Sequence, residues 1–168
     1  MLASLVQYAA GLDHHEYVAG FVISWHGMFR HTAWQEVKVG DVRLYAKGGP
    51  LIFVPLAKSY NARNRGQERQ GHFKPVPECE ELLKLLTLNG TRCEEEKLLR
   101  CDQAKARAII QDCAELHHWD FHSFRLGAAC ERRTLEHPDA QMMRRAVWSA
   151  QSHSTVSHYR RSWKVKGS

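Results

Sequence analysis

His122-Ser123-Phe124-Arg125 sets an imidazole and a guanidinium three residues apart, which on a helix puts them on one face. A guanidinium can hold two phosphate oxygens at once, and an imidazole can move a proton at neutral pH. Such a pair alone is ordinary on a protein surface, so its company matters. Arg30 closes an apolar helix, Lys58 stands at the end of a strand, and Tyr159 is followed by Arg160 and Arg161. A phenol ionises near pH ~10 and is a poor nucleophile at neutrality unless cations favour the phenolate. Two arginines, a lysine and a histidine around one phosphate would supply that. Together, Tyr, His, Arg and Lys at such positions suggest phosphoryl transfer without a metal. His14-His15 and His117-His118 are adjacent pairs whose rings face different ways, and no cysteine lies at ligand spacing. No metal or other cofactor is expected.

Charge is segregated along the chain. The net charge is +6. The stretch from Lys58 to Lys74 holds Lys58, Arg63, Arg65, Arg69 and Lys74 against a single acid, Glu68. After Asp139 no acid occurs, while Arg144, Arg145, Arg160, Arg161, Lys164 and Lys166 do. Clustered Lys and Arg suit a polyanion, because they neutralise phosphates and release counterions; the plainer alternative is a solvated face with a basic tail. Five widely spaced cysteines without a C-x-x-C pair form neither a disulfide framework nor a zinc finger, and they read as reduced packing residues. No apolar run is long enough to cross a bilayer, and Leu2–Ala10 has no basic leader. An intracellular protein is expected, in the nucleus of a eukaryote or the cytoplasm and nucleoid of a prokaryote.

At 168 residues, 43% of them hydrophobic, the chain can build one full core. Leu2–Ala10 is a helix stopping at Gly11. Asp13 is placed to cap a second helix, on which Tyr17, Val18, Phe21, Val22 and Trp25 recur at helical spacing and whose end Gly27 loosens. Val42–Ala46 and Leu51–Ala57 form two strands joined across Lys47-Gly48-Gly49-Pro50. Residues 59–71 form an exposed loop, and His72–Val76 an edge strand, since Pro75 and Pro77 would disturb a central one. Helices follow over Glu78–Leu88, Glu94–Leu116, Phe121–Leu135, Ala140–Val147 and Ser154–Arg161. Glu94-Glu95-Glu96 would be the solvated start of the second of these. The fold class is mostly α with a small antiparallel β-sheet (α+β).

Gly127-Ala128-Ala129, small residues that let a helix pack closely, follow His122-x-x-Arg125; then come His137-Pro138-Asp139, Trp148 and Tyr159. In this order the sequence resembles the C-terminal catalytic domain of the tyrosine recombinase (phage-integrase) family. That family reads H-x-x-R-x-G-A-A, a helix, a Pro-Asp turn, a helix ending near a His or Trp, and the nucleophilic Tyr. Upstream, Gly27-Met28-Phe29-Arg30 matches its G-x-x-R, and Asp41-Val42 its Asp before the sheet. The likeness runs from about Val18 to Arg161 and implies one catalytic domain over 1–168, with a basic tail at 162–168 and without the family's N-terminal DNA-clamping domain.

What the resemblance implies is DNA strand cleavage and rejoining in site-specific recombination, integration or transposition. Tyr159 would attack a phosphodiester and form a 3′-phosphotyrosyl intermediate. Arg30 and Arg125 would grip the non-bridging oxygens. Lys58, with Lys47 as rival, would protonate the departing 5′ oxygen, and His122 would exchange the nucleophile's proton. Trp148, or His153 in its place, would buttress the phosphate. Arg63, Arg65, Arg160 and Arg161 would contact DNA. The implied partners are double-stranded DNA and further copies of the chain assembled on it; no membrane and no small-molecule substrate are expected. The chain departs from the pattern where an acid should stand three residues after Arg30: Ala33 is there, and Glu36 is the nearest acid. Alternatives are a mobile-element relic keeping the fold and some DNA affinity without catalysis, or an unrelated helical protein whose basic tail meets RNA or an acidic partner. Singly, Arg30 could merely cap helix carbonyls and Lys58 merely discourage edge pairing.

Overall fold

The computed structural model describes residues 2–30, 33, 35–55, 71–88, 92–113 and 118–134. Among them run helices α1 (Leu2–Gly11) and α2 (His15–Gly27), strands β1 (Val42–Arg43), β2 (Leu51–Pro55) and β3 (Gly71–Pro75), then helices α3 (Glu80–Leu88), α4 (Gln103–Asp112) and α5 (Phe121–Thr134). The strands form one antiparallel sheet in the order β1-β2-β3, so among the described residues β3 lies at an edge, where its proline is tolerated. The architecture is α+β.

Helix α2 is the centre of the fold because it is apolar around most of its circumference. One side, Tyr17, Phe21 and Trp25, packs with Leu5 of α1, Ile109 and Ile110 of α4, and Phe121, Phe124 and Ala128 of α5. The other side, Ala19 and Ile23, packs with Ile52 of β2, Val76, Leu83 of α3 and Leu98. Each such large side chain contributes about 1.5–3 kcal/mol on burial, so α2 ties the helical layer to the sheet.

Several local expectations give way to longer-range partners. Asp13 does not cap α2. It sits at φ 59° and its carboxylate meets the His15 ring at 2.7 Å, while His14 holds the N-cap position without a side-chain cap bond. At the other end Gly27 remains helical and Met28 takes the left-handed turn, φ 50° and ψ 44°. Strand β1 is shorter than Val42–Ala46, since Gly49 N–H already donates to Ala46 O at 3.0 Å across a turn with Gly48 and Gly49 at φ 96° and 100°.

The largest difference concerns Glu94–Leu116, read from pattern as one helix. Among its described residues only Gln103–Asp112 is helical, with the Asp102 carboxylate capping it by accepting Lys105 N–H at 2.8 Å. The preceding segment spends its backbone groups elsewhere. Val39 N–H donates to Glu96 O, Gly40 N–H to Glu94 O, and Leu98 N–H to Val37 O, at 2.8–2.9 Å. A backbone paired with 37–40 cannot also close helical turns. Leu98 and Leu99 are thereby buried, and the acids turn to partners: Glu95 to Lys38, and Glu96 to Arg92 and Arg100.

Of the expected loop over 59–71, Gly71 instead opens β3, and residues 59–70 lie outside the described residues, as do the expected helices over Ala140–Val147 and Ser154–Arg161 and the tail 162–168. None of the five cysteines is in a disulfide, and Cys79 and Cys113 are buried.

Candidate functional site

Lys74 is the polar centre of the described structure. It lies on β3 directly opposite Ile52, in the register Ile52↔Lys74, and shares that residue's inward face. Ile52 is fully buried and Lys74 is only 4% exposed. The Lys74 ammonium donates to Gly27 O at 3.0 Å and to Met28 O at 3.2 Å, and stands 5.1 Å from the centre of the Phe29 ring. These are the carbonyls at the C-terminus of α2, where the helix dipole is negative. The lysine therefore caps α2 from the sheet. Burial in the first place, then the charges of Arg125 and Arg30, push its pKa well below the ordinary lysine value. The charges of two arginines far apart in sequence thus bear on the same ammonium group.

Arg30 follows the capped turn directly. Its side chain is exposed, while the preceding Phe29 is buried. Arg30 is therefore not the residue that caps the α2 carbonyls; Lys74 fills that place because it reaches them from the inward face of β3. The next turn is closed by Ala33 N–H donating to Arg30 O at 2.9 Å, with Ala33 itself buried and Glu36 half-buried. Asp41 is buried at the entrance to the sheet, where its carboxylate accepts Lys38 N–H at 2.7 Å.

Arg125 is 5% exposed on α5, beside the fully packed Phe124 and Ala128. The depth of α5 is set by Gly127: a Cβ there would lie 2.4 Å from Trp25 Cη2. Trp25 cannot easily yield. Its indole N–H donates to Glu131 at 2.6 Å, its ring stacks on Trp119 at 6.2 Å, and Phe124 meets it edge-on at 6.2 Å. The small residues after Arg125 do allow close approach, and Asp120 fixes the start of the helix by accepting Ser123 N–H at 3.0 Å.

Of the residues singled out from sequence, Arg30 directly follows the turn that Lys74 holds, and Arg125 is buried on α5. His122 is on α5, one turn before Arg125, but its side chain lies outside the described residues. Lys58, Arg63, Arg65, Trp148, His153, Tyr159, Arg160 and Arg161 lie outside them too. Lys47 is exposed in the β1–β2 turn. Among the described residues no group of three or more His, Cys, Asp or Glu side chains is arranged to hold a metal ion, and no helix is long and apolar enough to cross a membrane. Lys74, counted from sequence among the surface cations of its segment, is instead buried. Composition pointed the other way, because Phe73 is the apolar neighbour; yet Phe73 is 48% exposed, edge-on to Phe53 on the outer face.

Compared with known proteins, the chain matches no protein-family model and no curated sequence.

The buried ammonium makes stability depend on pH with a definite sign. Lys74 binds its proton less readily in the folded chain than in the unfolded one, so its charge costs stability below the folded-state pKa. That cost is relieved as pH rises from there towards the ordinary value of 10.5. Cys101 opposes this above 9.0, since burial pushes its thiol up to about 12. Subtracting a Lys74→Met variant, which retains Cys101, isolates the lysine. Urea unfolding of both proteins across the alkaline range is expected to show wild type gaining stability relative to the variant as pH rises. A constant difference would mean that the ammonium is not disfavoured by folding.

Proposed function

We propose that this chain cleaves and rejoins double-stranded DNA through a 3′-phosphotyrosyl intermediate, as a tyrosine-recombinase-like catalytic domain acting in recombination, integration or transposition. Support comes chiefly from one arrangement: Arg30, which the resemblance assigns to the phosphate, directly follows the α2 turn held by the buried Lys74, and Arg125, assigned with it, is buried on α5, the helix packed against α2. A phosphodiester is an anion that two guanidinium groups can hold by its non-bridging oxygens.

In the proposed reaction the Tyr159 phenolate attacks phosphorus and the phosphorus–5′ oxygen bond breaks. Lys58 gives the departing oxygen its proton, and His122 takes up and returns that of the phenol. The phosphotyrosyl bond preserves the energy of the broken ester, so religation needs neither nucleotide nor metal. Trp148 buttresses the phosphate, while Arg63, Arg65, Arg160 and Arg161 track the duplex. Several copies act together on DNA.

The decisive experiment offers the protein nicked suicide duplexes, from which the released strand diffuses away and the intermediate accumulates. A covalent protein–DNA adduct is expected with the wild-type chain and none with Tyr159→Phe. Salt-sensitive DNA binding with no adduct on any substrate would favour a domain that has kept the fold but lost the chemistry. No adduct and no DNA binding would overturn the proposal.

A further inference from the structure

We propose that Lys74 is a positioning residue that clamps the C-terminal turn of α2 and thereby aims Arg30 at the anion it shares with Arg125. For the nature of that anion, a DNA phosphodiester, this rests on the function proposed above; the clamp itself rests on geometry. The Lys74 ammonium takes two carbonyls in succession, Gly27 O and Met28 O, and lies against the ring of the next residue, Phe29. Three consecutive residues immediately before Arg30 are thus held by one side chain from another element.

The held turn is one the backbone does not favour by itself. Met28 is at φ 50°, a region that costs a residue with a Cβ roughly 1 kcal/mol or more, and Gly27, which could adopt it freely, stays helical. Met28 is fully buried, and Phe29 N–H reaches back to Ser24 O at 3.0 Å. A lysine satisfying the carbonyls that this turn frees gives the left-handed conformation its partner. Loss of the clamp would let the turn relax and Arg30 swing away. Lys74 itself is too deeply buried, with its donors turned to carbonyls, to be the main contact to a DNA backbone.

Two measurements on the full chain test this. The first is amide hydrogen exchange in wild type and Lys74→Met. Exchange at Met28 and Phe29 is expected to quicken about tenfold or more, the size of a lost charged hydrogen bond, with Ile109 and Ile110 of α4 unchanged. The second is a double-mutant cycle on the affinity for a fluorescent mixed-sequence DNA duplex. Lys74→Met and Arg30→Ala are each expected to weaken binding about tenfold, and the double variant to bind no worse than Arg30→Ala alone.

Unchanged exchange at Met28 and Phe29 would overturn the clamp. Losses that multiply would overturn the positioning role, because Lys74 would then touch DNA independently of Arg30. Should Lys74→Met fail to fold, Lys74→Gln, which keeps an amide donor for one carbonyl, replaces it; failure of both would overturn a local role in favour of a global structural one. If wild type binds no DNA, the DNA reading falls while the exchange data still decide the clamp.

Discussion

A Gly127→Val protein is expected to lose about 3 kcal/mol or more of stability, the upper range for forcing extra volume into a packed core. Space at this position is already occupied: any Cβ meets the Trp25 ring at 2.4 and 2.6 Å, with Trp119 at 3.4 Å behind it. Two features hold Trp25 in place, the indole bond to Glu131 and the stack with Trp119. Either the indole leaves those partners or α5 withdraws from α2, and withdrawal would carry Arg125 away from Lys74. Gly127→Ala should suffer less, since the better helix propensity of alanine returns about 1 kcal/mol. Combining Gly127→Ala with Trp25→Phe, which trims the clashing ring, should recover part of the loss. Urea unfolding midpoints measure all three, and a Gly127→Val protein as stable as wild type would show that α5 does not seat against Trp25 as described.

The second large effect is a separation of activity from stability at Arg125. Arg125→Met keeps most of the side chain's length and removes its charge. Adduct formation on suicide duplexes is expected to fall by about 10²–10³-fold, the loss typical of removing one donor aimed at developing charge. Thermal unfolding, followed in parallel, separates this loss of chemistry from any loss of the contacts that the buried Arg125 makes within the fold. The same variant should reduce the alkaline gain in stability assigned to Lys74, since its ammonium would then be less disfavoured. An Arg125→Met protein that unfolds would make the guanidinium a structural group, and one that forms adducts at the wild-type rate would remove it from the phosphate site.

The elements around the candidate site were legible in the chain because their signals are local. The 3.6-residue recurrence of Tyr17, Phe21 and Trp25 specifies a buried helix wherever that helix lies, and the pair Gly48-Gly49 specifies a reversal whatever strands flank it. The run Phe121 to Ala129 announces a helix with one small face, and α5 is that helix. Arg30 was legible for the same reason, as a cation placed where an apolar helix stops.

Lys74 was not legible, and neither was the fate of residues 94–98. Whether a strand residue faces inward depends on its register with a neighbour, and the pairing of Lys74 with Ile52 is made across a long stretch of intervening chain. Hydropathy alone would have turned Phe73 inward and Lys74 out. The acidic segment carries a helical pattern, yet residues 37–40 offer it backbone partners that lie nearly sixty positions earlier in numbering, as the pairing Lys38↔Lys97 shows. Composition and periodicity record what each residue prefers beside its neighbours in sequence. Which carbonyls a buried ammonium finds, and which backbone a strand or loop pairs with, is decided only when distant segments meet, because there the cost of an unpaired polar group outweighs local preference.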